Sequence, residues 1–272
     1  MLPYDGTIRD ECGPVETRGS PVHVLSRTHS PRPPARSPLG RARNVRSHRM
    51  RRAWTAAAAA VVTAASAVSL AAPATAAPAQ AALGGGSGIL LTDAAGDVAA
   101  CTLTTIGHDG GGRLVGLTAG HCGDPGDAVV PEFGWNGTPV GTIVDEYPAL
   151  DVAVVQFDPA LVAPVNQVGG ITITRTGSPV NFPGVACKDG RTTGVTCGVT
   201  WLTDTVRHET WTQICVMEGD SGAPVVVGTT LVGMVNAFIQ VPCLSPTVGT
   251  TIVAALDAIN AAGGVGAGFR PI

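Results

Sequence analysis

From about residue 88 onward, short apolar-rich runs alternate with clusters of Gly, Pro, Asp and Asn. The runs include GILLTD, CTLTTIG, RLVGLTAG, VGTIVDE, DVAVVQFD, GITITRTG, GVTWLTDTV, APVVVG and TLVGMVNAF. Several set apolar residues at every second position with Thr or small polar residues between, the period of strands that bury one face. In GHDGGG, between CTLTTI and RLVGL, glycines supply the positive φ that a hairpin loop needs. Only the end has helical period. In TTIVAALDAINAAGG, Ile252, Val253, Leu256 and Ile259 fall at roughly helical spacing, and Gly263 is placed to stop the turn. The pattern predicts an all-β fold, built as barrels, with one terminal α-helix.

The region ahead of these runs has a different character. Residues 1–52 hold 11 of the 17 Lys+Arg, four acids and seven prolines, with almost no apolar periodicity. Such a segment cannot bury enough apolar surface to fold. It is followed by MRRAWTAAAAAVVTAASAVSLAAPATAAPAQAAL, which joins a methionine and two arginines to an uncharged run with small-residue ATA and AQA sites. That is the layout of a secretory signal peptide, read here over 50–81 with cleavage after about Ala76 or Ala81. A spanning anchor is the alternative, but alanine is weakly apolar and the run is broken by Thr, Ser and Pro. Arg51-Arg52 fits any signal of this kind as well as twin-arginine export. On this reading translation starts at Met50, and residues 1–49 are an over-extended reading frame.

The remainder, about 77–272, carries six Lys+Arg against 16 Asp+Glu, a formal net charge of −10. Nucleic acid is a poor partner for so acidic a domain, because phosphates need a basic footprint. Six cysteines remain after Cys12 is set aside: Cys101, Cys122, Cys187, Cys197, Cys215 and Cys243. An even number behind an export signal reads as three disulfides, with about 15 connectivities open. Pairing nearest neighbours gives Cys101–Cys122, Cys187–Cys197 and Cys215–Cys243, each closing a local loop. A metal site is not indicated, since there is no C-x-x-C and no histidine pair at ligand spacing.

Three stretches carry candidate chemistry. GLTAGHCGDPG sets His121 beside Cys122 at the end of an apolar run. VMEGDSGAPVVVG places Ser221 in a short turn ahead of a strand, with Gly219 two residues before it. A serine nucleophile needs a base for its proton and donors for the developing oxyanion, and glycine lets backbone N–H groups converge there. In YPALDVAVVQF, Asp151 opens an apolar strand, where a carboxylate is costly unless paired. Each stretch alone is compatible with ordinary turn or capping chemistry. His, Asp and Ser in that order in an exported, disulfide-bearing, all-β chain change the odds.

LTAGHC, the Asp151 strand and GDSG resemble the motifs of the chymotrypsin-type serine proteases. CKDGRTTGVTCG, the six-residue step from Cys215 to Ser221 and VGTTIVAALDAI resemble the small bacterial branch, the streptogrisins and α-lytic protease. The resemblance runs from about Gly84 to Gly264. It implies two packed antiparallel β-barrels at about 84–165 and 166–250 and a helix at about 252–262, within a protease domain at 82–272. It also implies that Ser221 attacks the scissile carbonyl, His121 is the base and Asp151 orients and stabilises the imidazole. Gly219 and Ser221 would form the oxyanion hole, while Asn236, Ala237, Phe238 and Glu218 would border the substrate pocket. Cys101–Cys122 would fix the histidine loop, and Cys215–Cys243 would tie the nucleophile loop to the pocket wall. The implied protein is a secreted, monomeric serine endopeptidase without cofactor or metal. Its partners are a polypeptide substrate and a proteinaceous protease inhibitor, with no membrane after signal cleavage.

Four departures from the family pattern stand out. The sizeable pro-region usual in the branch has no room between the cleavage sites and LGGGSGI. Ala223 replaces the second glycine after the serine. Asn236-Ala237-Phe238 stands where Ser-Gly-Gly or similar usually lines the substrate, so the Phe238 ring should narrow the pocket. TWTQIC offers no carboxylate to lysine or arginine. Cleavage after small or medium apolar residues is therefore expected. A catalytically inactive binding protein on the same fold and an esterase-like acyl hydrolase are the rivals. His108 and His208 read as surface residues, Asp220 as structural, Trp135, Trp201 and Trp211 as packing, and the Asn136 sequon as a turn.

Overall fold

The protein is described here by a computed structural model, over residues 79–272. The segment 1–49 and nearly all of the leader at 50–81 lie outside the described residues. The first half contains β1 (Ala81–Leu83), β2 (Gly88–Thr92), β3 (Val98–Thr102), β4 (Thr105–His108), β5 (Leu114–Ala119), β6 (Ala128–Pro131), β7 (Gly141–Tyr147), β8 (Val152–Phe157) and β9 (Val162–Pro164). Seven of these form one antiparallel sheet in the order β4-β5-β8-β7-β6-β2-β3. The sheet curls so that its two edges, β3 and β4, are consecutive in the chain, and Thr104 N–H, between them, donates to Leu117 O at 2.7 Å, extending the β4–β5 pairing. β1 runs parallel to β9, with Ala81 N–H donating to Leu161 O at 2.7 Å. A cut after Ala81 would remove the first residue of this pairing, whereas a cut after Ala76 leaves it whole.

The second half opens with the two-residue strands β10 (Gln167–Val168), β11 (Ile171–Thr172) and β12 (Arg175–Thr176). Then follow β13 (Val185–Gly190), β14 (Gly194–Asp204), β15 (Glu209–Thr212), β16 (Pro224–Val227), β17 (Thr230–Phe238) and β18 (Thr247–Thr251). They pair in the order β17-β16-β13-β14-β15-β18, and β17 pairs β18 again, so this six-strand barrel closes on itself. Closure leaves no free edge to recruit another chain. The helix α1 (Ile252–Ala262) follows directly, and β19 (Arg270–Pro271) returns to pair with β4.

Alternation holds in β2, where Ile89 and Leu91 are buried between less buried neighbours, but not in β5 and β8. Every residue of β5 is buried, as are five of six in β8, because both faces of these strands are covered. One face joins the first barrel's core of Ile89, Leu91, Leu103, Val155 and Phe157. The other sends Leu117, Val152 and Val154 against Val226, Leu231 and Met234 of the second barrel and Ile259 of α1. The buried stripe of α1 is Ile252, Ala255 and Ile259; Val253, expected on it, is 40% exposed. The positions three and four residues apart share a face, and 253 lies off it.

Asp109, at the turn between β4 and β5, shows how a charged residue organises a loop. Its Oδ1 accepts from the N–H groups of Gly111 (2.9 Å) and Arg113 (3.0 Å). Its Oδ2 accepts from Arg113 Nε (2.6 Å) and from the N–H of Gly266, beyond α1 (3.0 Å). Burial alone would raise the carboxyl pKa, yet these donors hold it below its ordinary value. Its contribution is therefore present above the unfolded-state pKa and lost as pH falls through the lower folded value, below about pH 4. Asp109→Ala should cost about 3 kcal/mol at neutral pH in a urea titration. The difference from the unmodified protein should shrink in acid; an equal gap at pH 7 and pH 3 would refute this account.

Candidate active site

Two turns from the first barrel and one from the second bring His121, Asp151 and Ser221 together. His121 lies in a short 3-10 turn, Gly120–Cys122, after the buried end of β5. A side chain at position 120 would press on Asp151, at 3.1 Å from its Oδ1, so glycine lets the two turns approach. Asp151 ends a second turn, Pro148–Leu150, in the left-handed region at φ 50° and ψ 57°, a conformation aspartate tolerates better than most residues. β8 starts at the next residue and anchors it in the core.

The hydrogen bonds run in one line. The Ser221 hydroxyl donates to His121 Nε2 at 2.8 Å. The His121 ring sits with Nδ1 at 2.8 Å from Asp151 Oδ2 and 3.0 Å from Oδ1. A carboxylate has only acceptors, so Nδ1 carries the proton and Nε2 is the free base. The His121 backbone N–H also donates to Asp151 Oδ1 at 2.7 Å. The hydrogen bond to Asp151 raises the pKa of His121, against the opposing effect of burial. Burial would raise that of Asp151, but the donors from His121 and Asn236 outweigh it and hold the carboxyl low.

Asn236, placed by resemblance at the border of the substrate pocket, turns its side-chain amide to Asp151. Nδ2 donates to Asp151 Oδ2 at 2.7 Å and to its backbone O at 2.8 Å. Oδ1 accepts from Thr250 N–H at 2.6 Å. The ladder between β17 and β18 shifts register between Val235 and Ala237, so Asn236 is the bulged residue, and its side chain takes the place of a lost ladder acceptor. Thr250 adds a hydroxyl to Leu150 O at 2.6 Å, pinning the turn that presents Asp151.

The nucleophile loop is held from both sides. Gly222, at φ +83°, has no space for a side chain: a Cβ there would lie 2.2 Å from Thr102 O. Ser221 O accepts from Thr102 N–H at 2.8 Å, and Gly222 O from the Thr104 hydroxyl at 2.6 Å. Ala223, the departure from the family motif, is fully buried in the second barrel's core and donates no strain to the loop: its N–H reaches Asp220 O at 2.8 Å. Glu218 O accepts from the Thr192 hydroxyl at 2.7 Å, and Gly219 O from the Thr102 hydroxyl at 2.9 Å. In a planar trans peptide the N–H points opposite to the preceding carbonyl, so Gly219 N–H faces away from Thr192. Among the described residues neither Gly219 N–H nor Ser221 N–H has an internal acceptor. Two free donors beside a serine hydroxyl can hold an oxyanion.

Lys188 and Asp220, both with fully buried side chains, lie beneath this loop. Asp220 Oδ1 accepts from the N–H groups of Thr192 (3.0 Å) and Thr193 (3.1 Å); Oδ2 accepts from Met217 N–H (3.1 Å). Lys188 Nζ donates to Asp220 Oδ2 (3.3 Å), Gly194 O (2.8 Å) and the Thr193 hydroxyl. Burial lowers the lysine pKa while Asp220 opposes that shift. Sequence reasoning passed over Lys188, although it is the only lysine in the chain.

The six cysteines join as Cys101–Cys122, Cys187–Cys197 and Cys215–Cys243. The first ties β3 to the histidine turn, and the third ties the segment before Ser221 to the loop after Phe238. Ala237 is exposed, Glu218 is exposed, and the Phe238 ring packs against the buried cluster that includes Ile214, Val216 and Val235. Among the described residues no group of His, Cys, Asp and Glu could hold a metal ion, and no helix is long and apolar enough to cross a membrane.

No protein-family model and no curated protein matches the chain in sequence. Solved structures do match in shape. Thermobifida fusca protease A aligns at 24% identity and TM-score 0.56, over 71% of this chain and 99% of its own. Nocardiopsis protease aligns at 23% and 0.53, over 66% and 97%. Cellulomonas bogoriensis chymotrypsin aligns at 22% and 0.53, over 71% and 99%. The uncovered part of this chain corresponds in size to the segment ahead of β1. The chain therefore has the two-barrel fold of the bacterial chymotrypsin-like proteases, with His121, Asp151 and Ser221 meeting where its barrels join.

Proposed function

We propose that the chain is an exported serine endopeptidase that cleaves after small or medium apolar residues. The observation that carries this reading is the unbroken line from the Ser221 hydroxyl through His121 to Asp151, beside two N–H groups that have no acceptor among the described residues. Ser221 Oγ attacks the scissile carbonyl carbon while its proton passes to His121 Nε2. The carbonyl oxygen takes up the electron pair and is held by Gly219 and Ser221 N–H. Collapse expels the amine, which receives the proton from His121 and leaves an acyl-serine. Water, deprotonated by His121, attacks the ester, and the acid departs as the serine recovers its proton. Asp151 keeps Nδ1 protonated and offsets the positive charge on the imidazolium. Three disulfides and the acidic net charge suit an exported, soluble protein.

The deciding experiment pairs a fluorophosphonate probe with casein. The exported protein should be labelled and should cleave casein, and Ser221→Ala should do neither. Labelling without casein cleavage would indicate an acyl hydrolase instead, and no labelling a binding protein.

His121 must be neutral to accept a proton, and its pKa is raised. The kcat/KM profile should therefore climb with pH through an apparent value above about 6.5. Asn236→Ala removes a donor from the Asp151 carboxylate and should lower kcat by about 10- to 100-fold, with Asn236→Ser recovering part of the loss. An unchanged kcat in Asn236→Ala would show that the amide does not position Asp151.

Phe238 packs against the buried cluster of the second barrel, and on this reading its ring takes space that a large substrate side chain would need. A chromogenic peptide panel should favour Ala and Val over Phe, Arg and Lys at the residue before the cut. Phe238→Gly should raise kcat/KM for the Phe peptide by about 10²-fold, the worth of burying one large side chain. No gain for Phe peptides in that variant would place the restriction elsewhere.

A further inference from the structure

The charges of this acidic domain are unevenly placed. No Asp, Glu, Lys or Arg occurs at 176–187, 192–203, 210–217 or 221–256. These segments build β14, β15, β18 and the loops around them, and several of their large side chains face outward. Phe182 and Trp201 are 59% and 49% exposed, and their rings stack at 5.6 Å with an interplanar angle of 16°. The ladder between β14 and β15 shifts register between Thr200 and Leu202, so Trp201 is the bulged residue, and the bulge leaves Trp201 and Leu202 (52% exposed) both facing outward.

The stack is physically joined to the rim of the candidate active site. Trp201 Nε1 donates to Gln213 Oε1 at 3.2 Å, and Gln213 Nε2 donates to Leu244 O at 3.0 Å. Leu244 (77% exposed) and Val241 (48%) sit on the loop that follows Phe238, and Cys243 bonds this loop to Cys215, six residues before Ser221. Ser245 braces it: its Oγ accepts from the N–H groups of Gln240 (3.1 Å) and Val241 (3.0 Å) and donates to Val241 O (2.8 Å). The apolar side chains are thus presented on a fixed frame. Scattered exposed apolar residues need no explanation, but a connected, uncharged, aromatic-bearing face bordering a cleft marks an interaction surface.

We infer that this face, from Phe182 and Trp201 to Val241 and Leu244, is an exosite for an uncharged apolar stretch of the protein substrate, beyond the residues held in the cleft. The inference rests on the proteolytic reading. Continuity with the cleft rim selects the substrate as occupant, since a second copy on this face would also cover the loop after Phe238. The absence of charge suits an apolar polypeptide, which brings no charge to be desolvated.

The test uses an insoluble Val-Pro-Gly-Val-Gly polymer and the exported protein with Phe182→Ser and Trp201→Ser together, and separately with Leu244→Ser. Hydrolysis of a short blocked peptide should stay within about twofold of the unmodified protein, which also reports that the variants fold. Adsorption to the polymer, measured on a Ser221→Ala background, should fall about tenfold. Unchanged adsorption would overturn the exosite, as would an equal loss on the short peptide. So would a concentration-dependent dimer that only the unmodified face supports, or preferential binding to phosphatidylcholine vesicles. Because adsorption needs no catalysis, a protein that binds the polymer but cleaves nothing would overturn proteolysis and leave the surface standing.

Discussion

The buried contact between Lys188 and Asp220 is the constraint on which the nucleophile loop depends. Two charges removed from water cost several kcal/mol each unless their remaining valences are filled. Here they are filled. Asp220 accepts from three backbone N–H groups, and Lys188 has two oxygen partners besides the carboxylate. Those same N–H donors belong to Thr192, Thr193 and Met217, so satisfying the aspartate fixes the β13–β14 hairpin tip against the turn that leads into Ser221. Once the tip is fixed, the Thr192 hydroxyl holds Glu218 O, and that bond turns Gly219 N–H away from the hairpin tip. The geometry of the proposed oxyanion hole thus follows from charge satisfaction at the residue between its two donors.

Thr102 carries this constraint across to the first barrel. Its N–H meets Ser221 O, its hydroxyl donates to Gly219 O, and the same oxygen accepts from Arg191 N–H at 3.1 Å. Arg191 in turn reaches Glu132 at the end of β6, with Nε at 2.6 Å from Oε2. Cys101, the neighbour of Thr102, is bonded to Cys122, the neighbour of His121. The serine and the histidine come from different barrels, yet both are referred to one short piece of β3. A shift of one barrel against the other therefore has to break several bonds before it can lengthen the contact between Ser221 and His121.

This division explains what was legible in the sequence. The strands, the terminal helix and the three triad stretches declare themselves locally, through period, glycine placement and short motifs. Lys188 and Asn236 do not. Lys188 reads as a polar residue in a disulfide loop, and only its distant partner at position 220 makes it structural. Asn236 occupies the segment that a family comparison assigns to substrate, and its inward turn depends on a bulge that the sequence pattern does not mark. Val253 fits a helical stripe on paper but lies off the buried one, which runs through Ile252, Ala255 and Ile259 and packs against residues of both barrels. What escapes the sequence in each case is a long-range partner rather than a local preference.

The same bulge lets neighbouring residues of β17 serve different tasks. At Val235 the chain is buried in the second barrel's core, at Asn236 it serves Asp151, and at Phe238 it packs back onto that core. One extra residue in the ladder separates these tasks, so the position that supports the carboxylate is fixed by Thr250 and not by the identity of residue 238. A bulky ring can then stand at 238 without disturbing the line of hydrogen bonds from Asp151 to Ser221. The replacement of glycine by alanine at 223 is contained in the same way, since its methyl group points into the barrel and not toward the serine's partners. The departures at 223 and 238 are thus both absorbed by the second barrel's core, and the line of hydrogen bonds that places the proton stays intact.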